Sequence, residues 1–258
     1  MTGPDPAEVT RLRRCWRDGA TALGLWFSTD SPAGAEALCE LDVDYVVIDL
    51  QHGLIEVSGA ISMMRAMARS DATVLVRVPT AEPGIVGRVL DAGAEGVIVP
   101  MVDDADIARS CVRAARYAPH GQRSYGPTRS RLTGASTEIA DVDASTIVVA
   151  MIETTDAVAN VEAIAAVPGI DALYVGPSDL SITLGLGPGV EQADERFTHA
   201  LESVLEASRR HGVAPGIHAD ASISATRAAQ GFAMVTAVSD VAALVDGARR
   251  ALDAARPR

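Results

Sequence analysis

Eight short apolar runs, rich in β-branched residues, recur along the 258-residue chain with longer Ala-rich segments between them. They read "TALGLWFS" (21–28), "DYVVIDLQ" (44–51), "TVLVRVP" (73–79), "GVIVPM" (96–101), "TIVVAMIE" (146–153), "ALYVGPS" (172–178), "VAPGIHA" (213–219) and "FAMVTAVS" (232–239). Hydrophobicity within each run is continuous rather than alternating, which suits strands covered on both faces, as in a parallel sheet. The segments between them, such as "PGIVGRVLDAGA" and "DADIARSCVRAARYA", carry helical patterns. Alternating β and α elements imply right-handed crossovers. Eight such units predict an α/β fold of the (β/α)8 TIM-barrel type with parallel strands. The competing doubly wound sheet loses support because no Gly-x-Gly-x-x-Gly follows the first strand. The chain from 1 to 258 reads as a single barrel domain preceded by a capped amphipathic helix at about 5–18. Its longest irregular stretch, 117–145, is expected to be a loop over one end of the barrel, with a second loop at 185–195.

The totals exclude several function classes. A net charge of −12 and a pI of about 4.8, with no basic cluster interleaved with aromatics, argue against nucleic acid. No apolar run approaches the roughly 20 residues that span a bilayer, and the N-terminal stretch lacks the apolar core of a signal peptide. Three cysteines, Cys15, Cys39 and Cys111, lie far apart without metal-ligand spacing, so a reducing cytoplasm is expected. All 22 Lys+Arg residues are arginine. Without lysine there is no side chain for Schiff-base aldolase or pyridoxal-phosphate chemistry, and no Gly-Lys-Ser/Thr phosphate loop. No organic cofactor is expected.

In a barrel, chemistry belongs to the C-terminal ends of the strands and the loops that follow. Those positions hold Trp26 and Ser28; Asp49, Gln51 and His52; Arg77; Glu153; Ser178 and Asp179; His218 and Asp220; and Ser239 with Asp240. Singly, each has a plain reading: a turn histidine, a surface ion pair, a helix N-cap. Asp49, inside an apolar run, reads as buried and hydrogen-bonded rather than catalytic. His218 stays an open candidate, whereas His120, His199 and His211 read as solvated. Together, an imidazole, a guanidinium and two carboxylates at one mouth exceed what a barrel needs to stand. Glu153 and Asp179, from adjacent strands, suit a hard divalent cation such as Mg²⁺ or Mn²⁺ that keeps positions open for water and a chelating substrate. Arginine offers a rigid donor fork to a carboxylate or oxyanion, and histidine a proton shuttle near neutral pH. Such equipment suits the enolate of a 2-oxo acid.

From "GLWFS" at 24–28 to the eighth run the chain resembles the HpcH/HpaI aldolases, in particular the metal-dependent 4-hydroxy-2-oxoheptanedioate type. The motifs that carry the resemblance are "DYVVIDLQHG", "VLVRVP", "MIETTDAVANVEAIAAVPGIDALYVGPSDLS", "GIHAD" and the Arg-Tyr-x-Pro-x-Gly-x-Arg stretch ending at Arg123. The resemblance implies a (β/α)8 barrel and a class II aldolase with a divalent metal (Mg²⁺ or Mn²⁺, with Co²⁺ as a further option). It implies Glu153 and Asp179 as metal ligands, His52 as acid/base, Arg77 at the carbonyl and oxyanion, and Asp91 as the acidic partner of His52. It also implies backbone amides at Ser178 and Asp179 that receive the pyruvate carboxylate beside Trp26, and a homo-oligomer, often hexameric. Two departures stand out. Gln51 occupies the place of a usual Glu, which removes a negative charge near the metal and the histidine, and Arg123-Ser124 replaces a usual Arg-Gly, so the entrance loop is expected to admit a different aldehyde.

The expected reaction is reversible cleavage of a 4-hydroxy-2-oxo acid to pyruvate and an aldehyde, with Arg123 or Arg129 meeting a carboxylate-bearing tail. Two alternatives compete. One is a related lyase acting on a coenzyme A thioester of the malyl- or citryl-CoA type, disfavoured by the acidic charge. The other is a non-catalytic barrel that binds a metal–oxo-acid complex.

Overall fold

Each strand pairs in parallel with the next, and β8 pairs back onto β1, so the sheet has no free edge. A computed structural model describes residues 10–256. The strands are β1 (Ala22–Phe27), β2 (Tyr45–Asp49), β3 (Thr73–Arg77), β4 (Gly96–Val99), β5 (Ile147–Ile152), β6 (Ala172–Val175), β7 (Ala214–His218) and β8 (Met234–Ser239). All eight apolar runs therefore form strands. The surrounding helices are α1 (Arg11–Arg17), α2 (Pro32–Leu38), α3 (Val57–Ala66), α4 (Pro83–Asp91), α5 (Ala105–Ala115), α6 (Thr128–Thr133) and α7 (Ile139–Ser145). They continue with α8 (Thr155–Ala159), α9 (Val161–Ala165), α10 (Pro177–Thr183), α11 (Glu195–His211), α12 (Ser224–Ala229) and α13 (Asp240–Ala255).

Continuous hydrophobicity along the strands resolves into two cores. Val46, Ile48, Val76, Val97, Val148 and Leu173 face outward into the layer beneath the helices. Tyr45, Val47, Leu75, Val149, Met151 and Tyr174 face inward and fill the barrel with Leu12. The period of two along a strand separates the sets. Room for the two interior tyrosines comes from glycine: a Cβ at Gly24 would lie 2.1 Å from the Tyr45 ring, and one at Gly216 would lie 2.6 Å from that of Tyr174. Both phenols share the Thr236 hydroxyl, at 2.9 and 2.6 Å, so the polar atoms carried into the core are partnered.

The N-terminal end is closed by α1. Thr10 caps it, Leu12 is fully buried, and the Leu12 amide donates to Thr73 Oγ1 at 2.9 Å. Arg11, Arg13 and Arg14 pair with Asp44, Asp171 and Asp71 around the rim. The first part of the expected helix at 5–18, residues 5–9, lies outside the described residues. The stretch 117–145 is not one irregular loop: it contains α6 and α7. Neither helix has a buried residue, so no apolar periodicity marked them. The second expected loop, 185–195, ends where Asp194 caps α11.

Candidate active site

The inward parity that fills the core continues to the C-terminal ends of the strands, where it presents polar groups instead. Trp26, Asp49, Arg77, Glu153 and His218 follow Gly24, Val47, Leu75, Met151 and Gly216 at intervals of two. A cavity of about 210 Å³ opens there, lined by Trp26, His52, Arg77, Glu153, Asp179 and His218 among others. A larger cavity, about 590 Å³, lies at the other end of the barrel, near Thr10, Glu95, Arg129 and Thr146. The converging carboxylates belong to the smaller one.

Asp49 organises this mouth. Register places it directly beside Arg77 on the neighbouring strand. Its carboxylate accepts two hydrogen bonds from Arg77, including one from Nε at 2.8 Å, and one from Trp26 Nε1 at 3.2 Å. It also accepts from the backbone amides of Gln51 and His52, at 3.0 and 3.2 Å, which folds the turn that carries His52. Burial acts to raise the Asp49 carboxyl, but the Arg77 hydrogen bonds and charge outweigh it and hold the group below its ordinary range. Arg77 lies over the Trp26 ring at 4.8 Å, and its Nη1 makes no hydrogen bond among the described residues. The guanidinium is thus gripped on two sides with one nitrogen turned loose.

Glu153 is buried just past β5, and its Oε1 accepts from the Met101 amide at 2.7 Å. Met101 adopts a φ of 54°, in the left-handed region that a branched or bulky L-residue rarely enters. Holding an amide on Glu153 is what that strain accomplishes. Burial, opposed by this amide and reinforced by the nearby charge of Asp179, pushes the Glu153 carboxyl up to about 7. Gly176 makes the close approach possible, since a Cβ there would lie 2.4 Å from Glu153 Oε2. Beyond it, Pro177 starts α10, and Ser178 and half-buried Asp179 occupy its first turn, where backbone amides are free of intrahelical partners. Neither Glu153 Oε2 nor the Asp179 carboxylate makes a hydrogen bond or ion pair among the described residues. Two neighbouring carboxylate groups, one raised by burial and neither in an ion pair among the described residues, are an oxygen donor set suited to a hard divalent ion. No group of three or more His, Cys, Asp or Glu side chains forms a metal site among the described residues.

A family model described as HpcH/HpaI aldolase/citrate lyase matches residues 22–247. The chain belongs to the HpcH/HpaI aldolase/citrate lyase family. A hydroxypyruvate/pyruvate aldolase from Rhizorhabdus wittichii is 36% identical over 96% of this chain and 99% of its own. A 4-hydroxy-2-oxo-heptane-1,7-dioate aldolase from Klebsiella pneumoniae is 32% identical, covering 77% of this chain and 76% of its own. The crystal structure of a family protein from Burkholderia cenocepacia superposes with a TM-score of 0.85 at 32% identity, over 95% of this chain and 98% of that one.

Of the residues that resemblance to the HpcH/HpaI family singles out, the mouth brings together Trp26, His52, Arg77, Glu153, Ser178 and Asp179. It does not bring Asp91 or Arg123 to them. Asp91 ends α4, which returns the chain to the N-terminal end of the barrel, and there its carboxylate pairs with Arg123 Nη2 at 2.7 Å. Arg123 is buried, lies over the Tyr117 ring and lines the larger cavity. Asp49 is buried and hydrogen-bonded, as its place inside an apolar run predicts, but its grip on Arg77 and the contacts of Gly176 and Met101 with Glu153 were not foreseen. The signal for Asp49 was available, because its parity matches that of Arg77.

Proposed function

We propose that the protein is a divalent-metal-dependent class II aldolase that reversibly cleaves a 4-hydroxy-2-oxo acid to pyruvate and an aldehyde. The observation that carries this reading is the placement of Glu153 and Asp179 opposite an Arg77 that Asp49 holds fixed, in a family member whose relatives bear aldolase names. A cation such as Mg²⁺, Mn²⁺ or Co²⁺, held by Glu153 and Asp179, supplies Lewis-acid polarisation of the oxo acid when bound. Backbone amides at Ser178 and Asp179 receive the carboxylate. Arg77 Nη1 faces the 2-oxo oxygen and stabilises the charge that gathers there. His52, exposed and tethered only through its backbone, takes the proton of the 4-hydroxyl group. The electron pair of the C3–C4 bond then forms the pyruvate enolate as the aldehyde leaves. Protonation at C3 completes pyruvate, and the reverse sequence makes the bond.

The same reading includes self-association. Val241, Leu244, Val245 and Leu252 are exposed at helical spacing on α13, an apolar stripe of the kind that a second copy covers. It also bears on Asp91: the family pairing with His52 requires a residue from the opposite end of another copy's barrel, because α4 carries Asp91 away from its own mouth. No helix among the described residues is long and apolar enough to cross a membrane.

Deuterium exchange at the pyruvate methyl group, followed by NMR with Mg²⁺ or Mn²⁺ and with chelator, tests enolate formation without knowledge of the aldehyde. Metal-dependent exchange that disappears in His52→Ala is the expected result. Absence of exchange in folded, metal-loaded protein would overturn the reading.

A further inference from the structure

One polar side chain in the mouth has no part in the reaction as proposed. His218 ends β7 in the inward series Ala214, Gly216, His218, and its ring meets Trp26 edge-on, with centroids 5.1 Å apart and planes at 83°. Gly216 beneath it leaves its space to Tyr174, so His218 is the side chain through which β7 reaches the mouth. Burial, with the nearby charge of Arg77 adding to it and Asp49 and Asp220 opposing, pushes its imidazole down to about 4. The ring is therefore neutral at neutral pH and carries one N–H donor and one acceptor. Neither finds a protein partner, since His218 makes no hydrogen bond or ion pair among the described residues.

A phenylalanine or leucine would pack the same half-buried wall against Trp26. What the imidazole adds is directional hydrogen bonding toward the cavity it lines. The other polar groups there have assigned work. Trp26 Nε1 is hydrogen-bonded to Asp49, and the proposed reaction assigns Arg77, Glu153, Ser178 and Asp179 to the oxo-acid head. His218 and Trp26, from β7 and β1, make the wall on the remaining side.

We propose that His218 is a specificity-determining residue that hydrogen-bonds a substrate hydroxyl group lying against the Trp26 wall, so that hydroxylated carbon skeletons are turned over in preference to their deoxy counterparts. The proposal rests on the aldolase reading. The hydroxyl sits either on C3 of the oxo acid or on C2 of the aldehyde, and the chemistry that recognises it is the same.

The test compares kcat/KM in two arms, for the wild type, His218→Phe and His218→Asn. One arm sets 3-hydroxypyruvate against pyruvate with a fixed aldehyde. The other sets glycolaldehyde against acetaldehyde with pyruvate. His218→Phe keeps an aromatic ring against Trp26 and removes the hydrogen bond, so the hydroxylated-to-deoxy ratio in one arm is expected to fall about tenfold. His218→Asn, which retains a donor and an acceptor, is expected to restore part of that ratio. The arm that responds locates the hydroxyl. If both ratios stay within about twofold of wild type in His218→Phe, or in His218→Leu should the Phe variant not fold, His218 only packs and the proposal is wrong. Pyruvate methyl exchange by the wild type is run alongside. Its presence with unchanged ratios defeats the proposal and spares the aldolase reading, whereas its absence defeats both.

Discussion

Asp49→Asn is the substitution that most directly probes how the mouth is held. The side-chain pair of Asp49 and Arg77 is nearly excluded from water, with 3% and 10% of the side-chain surfaces exposed. Removing one partner of such a pair leaves the other charge buried without compensation, at about 3–5 kcal/mol. Asparagine keeps one oxygen for the Gln51 and His52 amides but turns an NH2 toward donors of Arg77 or Trp26, so the lower end applies. About 3 kcal/mol corresponds to a Tm fall of roughly 6–12 °C for a chain of this size. The sign of the pH dependence follows from the lowered Asp49 carboxyl. Its contribution is present above the unfolded-state value, roughly pH 4, and is lost as pH falls through the lower folded value. The wild-type advantage over the variant should thus be level from pH 5 to 8 and shrink below about pH 4. Urea unfolding of Asp49→Asn, Arg77→Met and the double variant closes a cycle in which the double variant is less destabilised than the sum, by roughly 1–3 kcal/mol. Pyruvate exchange in Asp49→Asn should fall on the order of 10²–10³-fold, as when an oxyanion donor is lost. Additive effects within about 0.5 kcal/mol, or a variant as active and stable as wild type, would refute the reasoning.

Gly176→Ala drives a methyl group into Glu153 Oε2 and is expected to abolish Mn²⁺ binding, read by titration calorimetry, while the far-ultraviolet circular dichroism spectrum stays native. Because burial raises the Glu153 carboxyl to about 7 and a cation takes the ionised form, Mn²⁺ affinity should rise between pH 6 and 8 with proton release that differs between buffers of different ionisation enthalpy. Burial likewise raises Glu95 to about 7 at the far end of the barrel. Its charging penalises the folded state as pH rises from about 4.5 through 7, so Glu95→Gln should raise the Tm at pH 8 and change it little at pH 5. Leu244→Glu, placed in the exposed stripe of α13, should lower the sedimentation coefficient from that of an oligomer to that of a single 26.8 kDa chain.

The barrel was legible because burial on both faces leaves the same mark on every strand, a short continuous apolar run. The failures of local reading are equally physical. Helices α6 and α7 bury nothing, so they leave no periodicity, and the Gly, Pro, Ser and Thr residues of the stretch that holds them look like loop. The relation of Asp49 to Arg77 depends on the strand register that makes residues 28 apart in sequence direct neighbours, and no local pattern states a register. Asp91 shows the opposite case, where topology was sufficient and went unused. The nine residues of α4 carry the chain about 13 Å back along the barrel, so a residue at that helix's end cannot share the mouth of its own strand. Parity supplies the remaining distinction. Counting in twos back from His218 reaches Gly216 and Ala214, as counting back from Arg77 reaches Leu75 and Thr73, and both series point inward. His52 lies on the turn beyond β2 and belongs to no such series, and it is exposed. The two histidines of the mouth therefore differ for a reason written into the chain. One is fixed by a strand against Trp26 and held neutral, as the recognition proposed for it requires. The other is on a turn open to water, as the proton exchange proposed for it requires.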